Sequence, residues 1–256
     1  MSAVSAVSAV SAVSAVSAVS AVSAVSAVSA VSAVSAVSAV SAVSAVSAVS
    51  AVSAVSAGLN EGLAAVSYPT IGHFLEDGFV DPAIRSLLDG VKVAGPAVTV
   101  RIAENDAYAM NRALLELHPG AVLVVDMSGD HRHAPVGAVT AAAATAQGAA
   151  GVVVDGVATD ILELRATGLP VFARGTSCLT TKRVRSGGSA VNVPVQCGGI
   201  QVNPGDWVLG DDNGVIVLSP EAAAEVLGQA LASDAAEPAL LARIASGEPL
   251  ESVLAF

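Results

Sequence analysis

GAVLVVDMSGDHRHAPVGAVTAAAATAQGAAGVVVDGVATDILELRATGLPVFARG, residues Gly120 to Gly175, holds two successive strand-then-helix units, each closing its strand on an aspartate. AVLVVD (Ala121 to Asp126) and GVVVD (Gly151 to Asp155) are short, continuous, β-branched apolar runs, the pattern of strands buried on both faces. Between them AVTAAAATAQG (Ala138 to Gly148) favours helix and stops at a glycine, as a C-capped helix does. Strand, helix and strand of these lengths predict a parallel βαβ unit with a right-handed crossover. In such sheets ligands sit beyond the carboxyl ends of the strands. That rule directs attention to Asp126, to Ser128 through Val136 and to Gly156 through Asp160.

Working outward, LPVFARG (Leu169 to Gly175) predicts a third strand. Upstream, Tyr68-Pro69-Thr70 opens a helix to Leu75, and Asp81-Pro82 opens another to Leu88 by the N-cap and first-position proline rule. VKVAGPAVTVRI (Val91 to Ile102) alternates but is interrupted by Gly95-Pro96, which predicts a bent or edge strand. A helix follows from Asn105 to Leu117. Downstream, SAVNVPV (Ser189 to Val195) and GGIQVNPGDWVLGDDNGVIVL (Gly198 to Leu218) read as strands joined by glycine and Asp-Asn-Gly turns. Pro220 to Phe256 reads as helix broken near Pro238 and Gly247, its exposed leucines suited to packing on a neighbouring subunit. Layers of sheet and helix in one α/β domain are the expected architecture.

The first fifty-seven residues differ in kind. From Ser2 to Ala57 the tripeptide Ser-Ala-Val repeats without charge, glycine, proline or aromatic residue. A period of three specifies neither a helix face nor a strand face. The tract reads as an expanded repeat or start-site artefact, disordered or loosely helical, with aggregation or anchoring as the other reading. It lacks the basic region of a secretory signal and the flanking basic residues and aromatic belt of a membrane span. The expectation is therefore a cytoplasmic protein with no membrane association. All 11 basic and 22 acidic residues fall from Gly58 onward, in roughly 200 residues, which suits one domain with a sizeable core. The net charge of −11 argues against a nucleic-acid surface. Cys178 and Cys197 have neither metal-ligand nor redox spacing and read as reduced thiols.

VAGPAVTV (Val93 to Val100), GAVLVVD (Gly120 to Asp126), VGAVTAAAATAQGAAGVVVDGVATD (Val136 to Asp160), LPVFARG and VNVPVQCGGIQVNPGDWVLGDDNGVIVL (Val191 to Leu218) together resemble the RraA-like family, across nearly all of 58–256 and in the same order. That family includes class II aldolases acting on 4-hydroxy-4-methyl-2-oxoglutarate and 4-carboxy-4-hydroxy-2-oxoadipate, and regulators of ribonuclease E activity. The resemblance implies an α/β fold, a swivelling β/β/α domain with terminal helices, assembled as homotrimers or hexamers with the site between adjacent subunits. It also implies a divalent metal, magnesium or manganese, and a lyase that passes through a pyruvate enolate, with oxaloacetate decarboxylase activity at the side.

On that resemblance Asp160 is the metal ligand and, with Thr159, the catalytic pair, while Gly137, Ala138, Val139, Thr140 and Thr159 bind substrate. The chemistry is coherent. Cleaving a carbon–carbon bond beside a 2-oxo acid leaves an enolate that a cation stabilises, and magnesium needs only one or two protein carboxylates. Backbone amides at a helix start suit the substrate carboxylate. Asp160 also reads as the N-cap of ILELRATG, and the Gly137 segment as an ordinary helix start. Two residues depart from the aldolase pattern. Ala138 stands where an acid is expected and Thr159 where an arginine is expected, and a hydroxyl cannot make a bidentate carboxylate contact. Arg132, in the loop Asp130-His131-Arg132-His133, is a candidate replacement, with His131 and His133 as weaker metal candidates. Asp126 and Asp155 read as strand-end caps, Arg174 as a substrate contact or a salt bridge, and Lys182 and Arg183 as a solvated basic edge. Two functions follow: a metal-dependent aldolase acting on a small 2-oxo acid, its substrate shifted, or a non-catalytic relative that binds and regulates a partner such as a ribonuclease.

Overall fold

The computed structural model describes residues 58–254, so the reading of the Ser-Ala-Val tract falls outside the described residues. In chain order the elements are α1 (58–65), α2 (Tyr68–Ile71), β1 (Arg85–Ser86), β2 (Val93–Arg101), α3 (Ala107–Leu115), β3 (Val122–Asp126), α4 (Ala138–Ala146), β4 (Gly151–Asp155), α5 (Ile161–Thr167) and β5 (Val171–Ala173). There follow β6 (Ala190–Val191), β7 (Val195–Cys197), β8 (Ile200–Val202), β9 (Trp207–Asp211), β10 (Gly214–Leu218), α6 (Pro220–Ala245) and α7 (Leu250–Val253).

The main sheet runs β1-β5-β4-β3-β2-β9-β10, with β6 paired to β2 and β7–β8 as a separate hairpin. The expected βαβ unit is present: β3 and β4 pair in parallel, Val122 opposite Gly151 through Asp126 opposite Asp155. Strands β2 to β5 are mutually parallel, while β1, β9 and β10 run antiparallel to their neighbours. All five residues of β3 are buried, because the sheet is covered on both faces. Val98, Val100, Leu123, Val125, Val152 and Val154 meet α3, α4 and α5 on one face. Their alternates Ala97, Val122, Val124, Val153 and Phe172 turn inward with β7, β8 and the inner residues of β9 and β10, where the sheet curls into a nearly closed barrel. A third cluster packs α1, α2 and α6 on the outer side of β9 and β10 around Trp207, Leu209, Ile216 and Leu218.

Four expectations are corrected. No helix follows Pro82. Arg85 and Ser86 instead pair with Ala173 and Phe172, capping the otherwise free edge of β5. The Asp81 carboxylate accepts the Ala83 N–H (2.9 Å) within a turn rather than starting a helix. Of the bent and edge readings for the strand around Gly95-Pro96, the edge one fails: the strand is central, residues 93–96 pairing with β9 and 97–101 with β3. Pro96 sits where partners change, and Gly95 is required because a Cβ there would lie 2.1 Å from the Gly120 carbonyl oxygen. Finally, α6 continues through Pro238, and the helical segment ends only before Gly247. Tyr68 opens a helix as expected, but one that stops at Ile71.

Candidate active site

At the carboxyl ends of β3 and β4 the chain leaves in two loops that meet: Thr159 N–H donates to the Val136 carbonyl (2.9 Å) and Ala158 bridges both Val136 and Thr176. The meeting places the start of α4 against the start of α5. Asp160 stands at the N-cap of α5 with φ 55° and ψ 47°, a left-handed conformation uncommon for a non-glycine residue. Its side chain makes no capping bond to α5. The carboxylate reaches instead to the neighbouring helix: Oδ2 accepts the Ala138 N–H at 2.9 Å, and Oδ1 accepts the Thr159 hydroxyl at 3.3 Å. The capping alternative is thus realised on α4 rather than α5. Strain of this kind, held by surrounding structure, is what functional sites store.

Gly137 makes the arrangement sterically feasible. A Cβ on it would lie 2.5 Å from Asp160 Oδ2 and 2.7 Å from Thr159 Cγ2, closer than non-bonded atoms approach. Ala141 N–H closes the first turn of α4 onto the Gly137 carbonyl. The Gly137, Val139 and Thr140 N–H groups find no acceptor among the described residues, as expected in a helix's first turn. Of the four amides expected to receive a substrate carboxylate, only that of Ala138 is occupied, by Asp160.

These groups line an open cleft of about 580 Å³. Ala134, Pro135, Gly137, Val139, Thr140, Thr159 and Asp160 come from the stretch first singled out in the sequence. The rest come from elsewhere: Ala107, Tyr108 and Asn111 on α3, and Thr180, Thr181 and Arg183 from the segment before β6. Sequence reading missed this second group, and placed Arg183 on a solvated edge. The only signal for it was a cluster of basic residues beside two threonines, with no period or spacing to give it meaning.

The second group is held by α3. Asp106, buried at the N-cap, accepts from Tyr108 N–H (2.9 Å), Ala109 N–H (3.1 Å) and Ser186 N–H (3.0 Å). Burial works against its ionisation, but the bonds from Ser186, Ala109, Ser189 and Tyr108 prevail and hold its pKa below the usual carboxylate range. Lys182 N–H donates to the Asn105 carbonyl (3.0 Å) and its own carbonyl accepts from Ala107 (3.1 Å). Arg185 lies over the Tyr108 ring, 4.4 Å from its centroid.

The other charged candidates are committed elsewhere. Arg174 spans Asp155 (Nε to Oδ1, 2.6 Å) and Asp81 (2.8 Å), so the salt-bridge alternative is what forms. Asp126 and Asp155 accept from Gln196 N–H (3.1 Å) and Gly198 N–H (2.8 Å), fastening the β7–β8 hairpin across the sheet end. His133 pairs with Asp130 (2.6 Å) and His131 approaches Asp155 (3.4 Å), so the two imidazoles face different carboxylates. Arg132 does not line the Asp160 cleft. Among the described residues no group of three His, Cys, Asp or Glu side chains gathers to hold a metal. Asp160, with Thr140 and Thr159 beside it, is a single hard-oxygen anchor, which suits magnesium keeping most of its waters and does not suit zinc.

A family model described as Aldolase/RraA, RraA-like, matches residues 70–217, more than half of the chain. A protein of Halalkalibacterium halodurans named "Putative 4-hydroxy-4-methyl-2-oxoglutarate aldolase" is 40% identical over 53% of this chain, and the match covers 63% of its own length. An uncharacterised Pseudomonas syringae protein of known structure is 28% identical with a TM-score of 0.67, covering 77% of this chain and 96% of that one. A Streptomyces coelicolor structure, described as an unusual member of the RNase ES inhibitor RraA family, is 29% identical with a TM-score of 0.61, covering 73% and 96%.

Proposed function

The chain belongs to the RraA-like family, and from that premise we propose that it is a divalent-metal-dependent class II aldolase, cleaving a small 4-hydroxy-2-oxo acid such as 4-hydroxy-4-methyl-2-oxoglutarate to pyruvate. The observation that carries this reading is the Asp160 carboxylate, held in a left-handed turn against the Ala138 N–H and beside unoccupied amides of the same helix start. Asp160 would hold the cation, magnesium or manganese. When bound, such an ion supplies positive charge facing the oxygens on which the enolate develops.

The protein's own groups account for the rest. The Val139 and Thr140 N–H groups, at the positive end of α4, take the carboxylate next to the 2-oxo group. Thr159 steadies Asp160 through its hydroxyl and offers no charge to the substrate. In the reaction the C4 hydroxyl loses its proton, the C3–C4 bond breaks, and its electron pair moves through C3 to the C2 oxygen. Protonation at C3 then gives pyruvate, and C4 becomes a carbonyl. Ala138 cannot act as a base, so the C4 proton passes to water in the open cleft. The same enolate would form by loss of carbon dioxide from oxaloacetate.

Val139, Leu162 and Leu115 are 85%, 72% and 76% exposed, on the first turns of α4 and α5 and the last of α3. Val139 lines the cleft and Leu162 lies in the first turn of the helix that Asp160 begins, so a second copy covering this face in a homotrimer or hexamer would bury both, whereas Leu115 sits at the opposite end of α3 from the cleft-lining Ala107 and Tyr108. Among the described residues no helix is long and apolar enough to cross a membrane, and we assign the protein to the cytoplasm.

The test is pyruvate release from 4-hydroxy-4-methyl-2-oxoglutarate and from oxaloacetate by the full chain with magnesium or manganese, beside Asp160→Ala. Release that needs metal and falls at least 100-fold in the variant is expected. No release by the unaltered protein would favour the regulatory reading, which the neutral Ala138 and Thr159 and the Streptomyces coelicolor relative support.

A further inference from the structure

Arg183 is the one cationic side chain among the residues lining the Asp160 cleft, as Asp160 is the one carboxylate. Among the described residues it forms no ion pair. Its backbone is fixed on both sides. Lys182 is tied to Asn105 and Ala107, while Arg185 stacks on Tyr108 and Ser186 donates to Asp106. The segment is thus clamped to the start of α3, and the charge is presented to the cleft from elements other than those carrying Asp160 and the free amides.

We infer that Arg183 determines specificity by binding the second carboxylate of a dicarboxylic 2-oxo acid, the one remote from the 2-oxo group. This rests on the aldolase reading above. The carboxylate beside the 2-oxo group goes to the start of α4, and Thr159 supplies no cation for the other end. A guanidinium with no ion-pair partner among the described residues, in a cleft also lined by Thr180 and Thr181, matches a carboxylate's planar, two-oxygen face.

Two substrates isolate this contact: 4-hydroxy-4-methyl-2-oxoglutarate and 4-hydroxy-2-oxopentanoate, which undergo the same cleavage and differ in that the second has hydrogen in place of the distal carboxylate. Wild-type protein, Arg183→Met and Arg183→Lys would be assayed on both with magnesium. For Arg183→Met the expected loss in kcat/KM is about 100-fold on the dicarboxylate, mostly in KM, and less than about threefold on the monocarboxylate. Arg183→Lys should recover part of the loss, the charge being kept and the two-pronged geometry not. Equal losses on both substrates, or none on either, would overturn the inference while leaving the aldolase reading intact. A wild-type protein inactive on both would overturn the aldolase reading, and the inference with it.

Discussion

Gly137→Ala separates the function of the Asp160 turn from its contribution to stability. Gly137 has φ −148° and ψ −164°, extended backbone open to any residue, so the substitution brings no backbone strain. Its whole effect is the methyl group, 2.5 Å from Asp160 Oδ2 and 2.7 Å from Thr159 Cγ2. Relieving those contacts to ordinary separations moves the carboxylate by about 1 Å. Both obstructing atoms are ends of side chains, so the fold yields cheaply. The Ala138–Asp160 bond is lost, about 1 kcal/mol, and alanine is a poorer N-cap than glycine by up to about 1 kcal/mol. In a domain of this size a loss of about 1–2 kcal/mol lowers Tm by roughly 2–8 °C. A displacement of about 1 Å at a reacting centre can instead cost about 100-fold in rate.

The expected signature is therefore a mildly destabilised protein with manganese binding and pyruvate release both reduced at least tenfold. Circular dichroism melts, electron paramagnetic resonance of free manganese and a coupled pyruvate assay read the three quantities. Gly228→Ala serves as the comparison, since the added methyl on exposed α6 meets nothing within 4 Å. It should raise stability by up to about 1 kcal/mol through helix propensity alone. A Gly137→Ala protein with wild-type manganese affinity and turnover would refute the placement of the metal and substrate at this turn.

Acid should weaken the clamp between α3 and the 182–186 segment. Asp106 is held below its unfolded value of about 3.9, so its stabilisation is complete above that pH and is lost as pH falls through the lower folded value. Melts from pH 7 to pH 3 should therefore show Asp106→Asn well below wild type at neutral pH and converging on it in acid; a constant gap would contradict the assignment. The two thiols should differ sharply. Cys197 is buried, and burial, followed by the nearby Asp155 and Asp126 carboxylates, pushes its thiol pKa up, whereas Cys178 is exposed. Ellman's reagent at pH 7.5 should titrate one thiol per chain quickly and the second only in denaturant.

What could be read from sequence was what is repeated locally. The continuous Val-rich runs at 121–126 and 151–155 announced strands covered on both faces, and both faces are covered, by α3, α4 and α5 outside and by β7, β8, β9 and β10 inside. Failures came where a distant partner overrode a local signal. Asp81-Pro82 is a sound helix start, yet the open edge of β5 takes Arg85 and Ser86 as a strand. Gly95-Pro96 reads as a bent or edge strand, yet the strand is central, with the proline at the switch from β9 to β3 and the glycine admitting the Gly120 carbonyl. The cleft divides in the same way. Its Gly137 and Asp160 side lies within one βαβ stretch, where Asp160 is marked by its place beyond a strand end and the Gly137 to Thr140 amides by the resemblance to the family. Its Arg183 side depends on isolated bridges, Asp106 with Lys182 and Ala134 with Thr180, between residues far apart in the chain and in no periodic pattern. Apart from the stacking of Arg185 on Tyr108, the 182–186 anchors are bonds made by its backbone, which almost any residue at those positions could make, so the sequence there carries little trace of them. Arg183 is thereby free to vary without cost to the fold, as a residue that sets substrate choice should be, while Gly137 is fixed by the space Asp160 occupies.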